Sequence, residues 1–292
     1  MDKIIEHQQI WATANNKEFD QSGNLKSYES NLFWQLDDYD LKCLKKGSGN
    51  ELKDKNGEKA KMKSLKSSSA LCVNFFLYLK QNGLLPLFLK AVGIHCNNVV
   101  SAEFEKQLKT NASSAKANLD FYIEYDYCIV GIESKFTEHY SIHNLPLKQS
   151  YLCKENEWTL KEKFSKNFPN LAKWINSEWK PRNYYGKDKK KKYTGRYSPF
   201  EYLDAEQLVK HLFALNIEND NYTLVYIHYD IHCDEMDKHQ KEIEVFKDIL
   251  NADNVHFISI SYQEIFKRMK EDLKSHSEYI EKMTSRYFSF KI

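Results

Sequence analysis

Asp120, Glu133 and Lys135 are the residues whose types and spacing best suit chemistry. They lie within residues 118–138, NLDFYIEYDYCIVGIESKFTE, where two apolar, aromatic and β-branched runs flank a polar Glu124-Tyr125-Asp126 break, as in a β-hairpin. Glu133 and Lys135, two apart on the second strand, project from one face, and Ser134 points the other way. A turn centred between Tyr125 and Asp126 sets Asp120 opposite Gly131. Asp120, Glu133 and Lys135 then converge, with Asp120 diagonal to Glu133 at roughly 7 Å between backbones. That gap suits one hard cation between two carboxylates, Gly131 leaving room for it. A pairing slip of one residue would turn Asp120 to the wrong face.

Glu-x-Lys is a common pattern in a chain that is 29% charged, and it recurs at Glu51-Leu52-Lys53 and Glu178-Trp179-Lys180. Only the copy at Glu133 ends an apolar run, Cys128-Ile129-Val130-Gly131-Ile132. Charges that end a buried strand cost desolvation, which a metal ion would offset. A surface Glu and Lys at a strand end is the plain alternative.

The surrounding elements must hold this hairpin in place. The 292 residues suffice for one large domain or two small ones, and a net charge of +2 does not by itself point to a polyanion partner. Six cysteines without paired metal spacing read as reduced thiols of a cytoplasmic protein, and no run approaches a membrane span. Residues 1–46 read as helical, with Trp11, Phe33, Trp34 and Leu36 packing, and 47–66, rich in Gly and Lys, as a mobile loop. Ser67-Ser68-Ser69 supply an N-cap for a helix ended by Gly83, apolar nearly all round and therefore central; 84–94 form a second short helix. Residues 99–105 are a strand or the end of a helix. Residues 158–179 are helical. Residues 183–197, NYYGKDKKKKYTGRY, mix lysines, Arg196 and tyrosines, which suits a nucleic-acid contact loop through Lys189, Lys190, Lys191, Lys192 and Arg196; a disordered basic loop is the competing reading. Ser198-Pro199 opens a helix carrying Gln207 and His211 on one face. Strands at 222–229 and 255–260 around a helix at 236–250 favour a parallel crossover, and a last helix covers 263–283. A zinc reading of His228, His232, Cys233 and His239 is set aside, because His228 and His232 on an extended segment lie roughly 13 Å apart.

The hairpin resembles that of the PD-(D/E)xK nuclease superfamily, with Asp120 followed by Glu133-Ser134-Lys135 and Leu119 in place of the naming proline. The order KSSSALCVNFF, AEFE, NLDFYIE, IVGIESKFTEHY and a helix with EQLVKH is similar to a group of bacterial restriction-endonuclease-like proteins named after a Porphyromonas representative, over residues 43–265. That group carries Ser-Ser-x-Ala-x-x-x-Asn-x-Phe before its core; Ser68-Ser69-Ala70-Leu71-Cys72-Val73-Asn74-Phe75-Phe76 departs slightly in the spacing of its Ala.

The resemblance implies an α/β (α+β) fold: a restriction-endonuclease-like core with a mixed sheet flanked by helices at 99–292, and a helical N-terminal part at 1–98 packing on it. It also implies a Mg²⁺-dependent DNA endonuclease of restriction or defence type, with Mn²⁺ substituting and double-stranded DNA as partner. Asp120, Glu133 and the Ser134 carbonyl would hold the ion, and Lys135 would orient water and offset negative charge. Glu105 is the expected upstream acid, with Glu103 a competitor on the same face, and either could be a surface glutamate. Glu138 would orient ligands and Gln207 would reach the site from its helix. Cutting both strands of a palindrome would favour a homodimer. A nuclease-fold module that binds nucleic acid or protein without cutting is the rival.

Overall fold

The computed structural model describes residues 2–47, 50–55, 57–112, 116–143, 145–153, 158–185 and 190–289. Helices α1 (Asp2–Ala14) and α2 (Asp38–Lys46) precede α3 (Ser68–Gln81) and α4 (Leu85–Ala91). Ser67 is extended and accepts the Ala70 N–H, which starts α3, and Gly83 at φ +67° lies just past its end. As its all-round apolar sequence requires, α3 is buried from Ala70 to Leu77. Strands β1 (Val99–Lys109), β2 (Lys116–Tyr125) and β3 (Cys128–Lys135) follow as an antiparallel meander. Then come α5 (Glu162–Asn167), α6 (Pro169–Glu178), a hairpin of β4 (Lys180–Tyr185) and β5 (Lys192–Tyr197), and α7 (Ala205–Glu218). The chain closes with β6 (Tyr222–His228), α8 (Asp234–Ala252), β7 (Phe257–Ser261), α9 (Tyr262–Met269) and α10 (Ser277–Met283).

The main sheet runs β1-β2-β3-β6-β7, with β6 parallel to both β3 and β7. Helices α7 and α8 make the crossovers that parallel pairing demands. One face packs on α3, α4, α9 and α10, and the other on α5 to α8. This is the expected mixed sheet flanked by helices. Among the described residues no helix is long and apolar enough to cross a membrane.

Several local expectations are corrected. Residues 15–37 do not continue the first helix. The described part of 47–66 is anchored where a mobile loop is expected: it buries Glu51, Leu52, Ala60, Met62 and Leu65, which outweigh its lysine-rich composition. The helix after Pro199 starts only at Ala205, because the N–H groups of Glu201, Tyr202 and Leu203 are drawn instead to the Glu242 carboxylate. The last helix is broken into α9 and α10. The described parts of the basic segment lie on the antiparallel pair β4 and β5, with Tyr184 and Tyr193 stacked across it. Arg196, expected among the nucleic-acid contacts, is instead buried and donates to the carbonyls of Trp158, Asn176 and Trp179.

Gly131 also differs from expectation. A Cβ there would lie 2.8 Å from Leu215 Cδ1 and 3.0 Å from Leu119 Cδ1. The missing side chain admits α7 to the sheet, not a cation. Gly131→Ala is expected to destabilise the fold by about 1–3 kcal/mol. In urea unfolding, the Gly131→Ala, Leu215→Ala pair should cost less than the sum of the singles. Strict additivity would show that the two positions do not press on each other.

Candidate active site

Strands β1 and β2 change faces at one point. Phe104 and Phe121 pair, and Phe121 stacks on Phe76 of α3, whereas Leu108, Ala117 and Leu119 belong to the opposite core. Pairing passes from Phe104↔Phe121 to Lys106↔Leu119, leaving Glu105 and Asp120 opposite each other outside the ladder. Glu105 takes φ +51°, a left-handed conformation in mid-strand that costs on the order of 1–3 kcal/mol and concentrates at functional sites.

The hairpin turn is made by Asp126 and Tyr127, both at positive φ, as a two-residue turn matched to strand twist requires. Tyr122 therefore pairs with Gly131 and Phe121 with Ile132, two residues away from the expected register. Continued along the strands, Asp120 comes opposite Glu133 rather than Gly131. An even shift keeps every side chain on its face, so the convergence survives.

Glu133 is almost fully buried. Its Oε1 lies 2.6 Å from Lys135 Nζ and its Oε2 2.8 Å from His211 Nε2. Lys135 also donates to Gln207 Oε1 at 2.9 Å. Asp120 Oδ2 accepts the Ser134 N–H at 2.7 Å, while the Ser134 hydroxyl sits 2.6 Å from the Tyr262 hydroxyl. Glu105 accepts from the Asn118 amide. Glu138 accepts the N–H groups of Phe136 and Thr137, closing the turn after β3.

These side chains line one cleft of about 640 Å³. Its walls include Asp120, Glu133, Ser134, Lys135, Glu105, Glu138 and Gln207, together with Ser67, Ser68 and Ser69 at the N-terminus of α3. Glu51 also reaches in, held by Lys61 Nζ at 2.9 Å and Ser69 Oγ at 2.8 Å. Glu103 turns away to the Tyr39 hydroxyl at 2.7 Å.

Electrostatics divides the acids. Burial raises Asp120 well above the usual carboxylate range, and Glu133 and Glu105 beside it push the same way. Burial, followed by Glu51, pushes Glu105 up to about 7. Burial acts to raise Glu133 too, but Lys135 and His211 outweigh it and hold the acid at about 2. Lys135 is raised because Glu133, with the other acids around it, outweighs its burial. Acids pushed apart in one cleft are a mark of functional sites. The carboxylates of Asp120, Glu133 and Glu105, with the buried and unpartnered Asn118 Oδ1, make an oxygen donor set that fits a hard divalent cation.

Of the expected nucleic-acid contacts, Lys190, Lys191 and Lys192 are exposed on the β4–β5 hairpin and do not line the cleft; Lys189 lies outside the described residues. Sequence reasoning ranked His211 below Gln207, yet both reach the site from successive turns of α7. It missed Glu51, Lys61, Asn118 and Asp204. Only Asp204 carried a local signal, an N-cap acid three residues before Gln207, whose N–H it accepts at 3.0 Å.

Glu206, beside Gln207, accepts the Ser198 N–H at 2.7 Å, and burial pushes it up to about 7 from its ordinary 4.5. Between those values the folded chain binds the proton more tightly than the unfolded chain, so stability falls as pH rises through that window. Glu206→Gln keeps an acceptor and is expected to be more stable than wild type by up to about 3 kcal/mol at pH 8, the two converging near pH 4. A gap that widens in acid, read by urea unfolding, would contradict this.

No curated protein and no solved structure matches this chain. The family described as "Restriction Endonuclease associating with ARP" does match, over residues 6–288. With nearly its whole length covered, and with acids, a lysine and a helix N-terminus around one cleft, the chain belongs to this restriction-endonuclease family.

Proposed function

We propose that the chain is a metal-dependent nuclease of the PD-(D/E)xK type that hydrolyses phosphodiester bonds of double-stranded DNA, in a restriction or defence role. The observation that carries this reading is that Asp120, Glu133, Lys135 and Glu105, from three adjacent strands, line one cleft. Asp120, Glu133 and the Ser134 carbonyl would hold Mg²⁺, with Glu105 completing the set and Mn²⁺ able to replace it. The bound ion would polarise the scissile phosphate and lower the pKa of attacking water. Lys135, fixed by Glu133 and Gln207, places a permanent positive charge where negative charge develops. Lys61, Lys66 and the first turn of α3 give the cleft positive charge and N–H groups suited to DNA phosphates. His211 holds Glu133 from behind and acts as a positioning residue.

One observation favours a non-cutting module instead: both Glu133 oxygens are already engaged by Lys135 and His211. Plasmid cleavage separates the two. The wild type is expected to cut with Mg²⁺ or Mn²⁺ and to stop in EDTA. Asp120→Asn, Glu133→Gln and Lys135→Ala should each lose at least about 10²–10³-fold in rate, and His211→Ala about 10–100-fold, each rate being read at a temperature where the variant keeps the wild-type circular-dichroism spectrum. Tight DNA binding without cleavage would replace the enzyme by the module, and full cleavage by any of the first three variants would remove that residue's role.

A further inference from the structure

We propose that His139, His228 and His239 form a second metal site, for a borderline transition cation such as Zn²⁺, distinct from the carboxylate cleft and independent of the nuclease reading. One ring nitrogen from each lies within 4.8 Å of the others, and all three residues are buried, at 1%, 5% and 1% exposure. The rings meet from three elements: the turn after β3, the end of β6, and the first half of α8.

Two of the three rings carry a hydrogen bond of the kind that ligands use. His139 Nε2 donates to the Tyr229 carbonyl at 3.1 Å, which leaves Nδ1 bare, and that atom is buried without a partner. His239 Nε2 is 2.9 Å from the Tyr226 hydroxyl, leaving its Nδ1. His228 Nδ1 sits 2.8 Å from Asp230 Oδ1, although the two are not aligned for a hydrogen bond and Nδ1 is buried without a partner. The carbonyl behind His139 and the phenol behind His239 are outer partners of the kind that metal-bound histidines use. Zinc–nitrogen bonds of about 2.0–2.1 Å place tetrahedral ligand atoms roughly 3.3 Å apart, so closing on an ion needs shifts of about an ångström.

Such an ion would pin the turn carrying Glu138 to α8 and fix the exit of the β3 strand that ends in Lys135. The set lacks all paired spacing in sequence, and the zinc reading discounted earlier contained His232, which is exposed, and omitted His139.

The test uses the untagged full chain. Elemental analysis after gel filtration is expected to find one Zn²⁺ per chain. Co²⁺ added to the EDTA-stripped protein should give the intense visible absorption of a tetrahedral nitrogen site at one equivalent. His228→Gln and His239→Ala should lower uptake at least tenfold, while His232→Ala and Asp120→Asn keep it. If either histidine variant loses its circular-dichroism spectrum, the wild-type Tm decides: one equivalent of Zn²⁺ should raise it by several degrees. The proposal fails if the stripped wild type takes up no Zn²⁺ or Co²⁺ at equimolar concentration, if folded His228→Gln or His239→Ala binds as the wild type does, if His232→Ala or Asp120→Asn loses the metal, or if Zn²⁺ leaves the Tm unchanged.

Discussion

The structure depends on keeping Glu133 and Lys135 charged where almost no water reaches them, their side chains being 2% and 11% exposed. Neither could remain ionised alone there, since a lone buried charge shifts its pKa and neutralises. Each is the other's counter-ion, and α7 completes the shell with His211 on the carboxylate and Gln207 on the ammonium. That requires α7 to lie close against β3, which Gly131 permits by presenting no Cβ to Leu215. It also requires α7 to begin at the right residue, which the Asp204 cap and the Glu242 carboxylate under residues 201–203 secure.

A sheet covered on both faces would ordinarily seal this region. The cleft exists because β1 and β2 break alternation together at Glu105 and Asp120, giving up ladder pairing and accepting a left-handed backbone at Glu105. The acids there have few favourable partners, and both are raised by burial and by their neighbours. Opposite them, α3 brings Ser67, Ser68 and Ser69 with its N-terminal N–H groups. The result is a pocket lined both by acids and by anion-binding groups, which suits a cation and a phosphate side by side.

Much of this was legible in sequence, for reasons that also mark where reading failed. The hairpin and its Glu-x-Lys end are written in period-two alternation over a few residues, and the mixed sheet with its crossovers follows from element order. The register came out two residues off, because Glu124-Tyr125-Asp126 does not say which pair takes positive φ; the convergence survived only because the error was even. Glu51 reaches the cleft through a segment whose local composition reads as solvent-loving, and Met62 and Leu65 decide otherwise. Arg196 looked basic and exposed among lysines, but α6 supplies the carbonyls that bury it. His139, His228 and His239 belong to separate elements, and no spacing rule joins them. Family membership agrees with the fold and leaves the chemistry to these side chains.

The central claim is that Asp120 and Glu133 bound a cation seat within reach of Lys135. Anomalous scattering from a crystal of the full chain equilibrated with Mn²⁺ measures this directly. The predicted result is a peak between the Asp120 and Glu133 carboxylates, with the Ser134 carbonyl among its ligands. A map with no peak there, and Lys135 still paired with Glu133 as now, would contradict it.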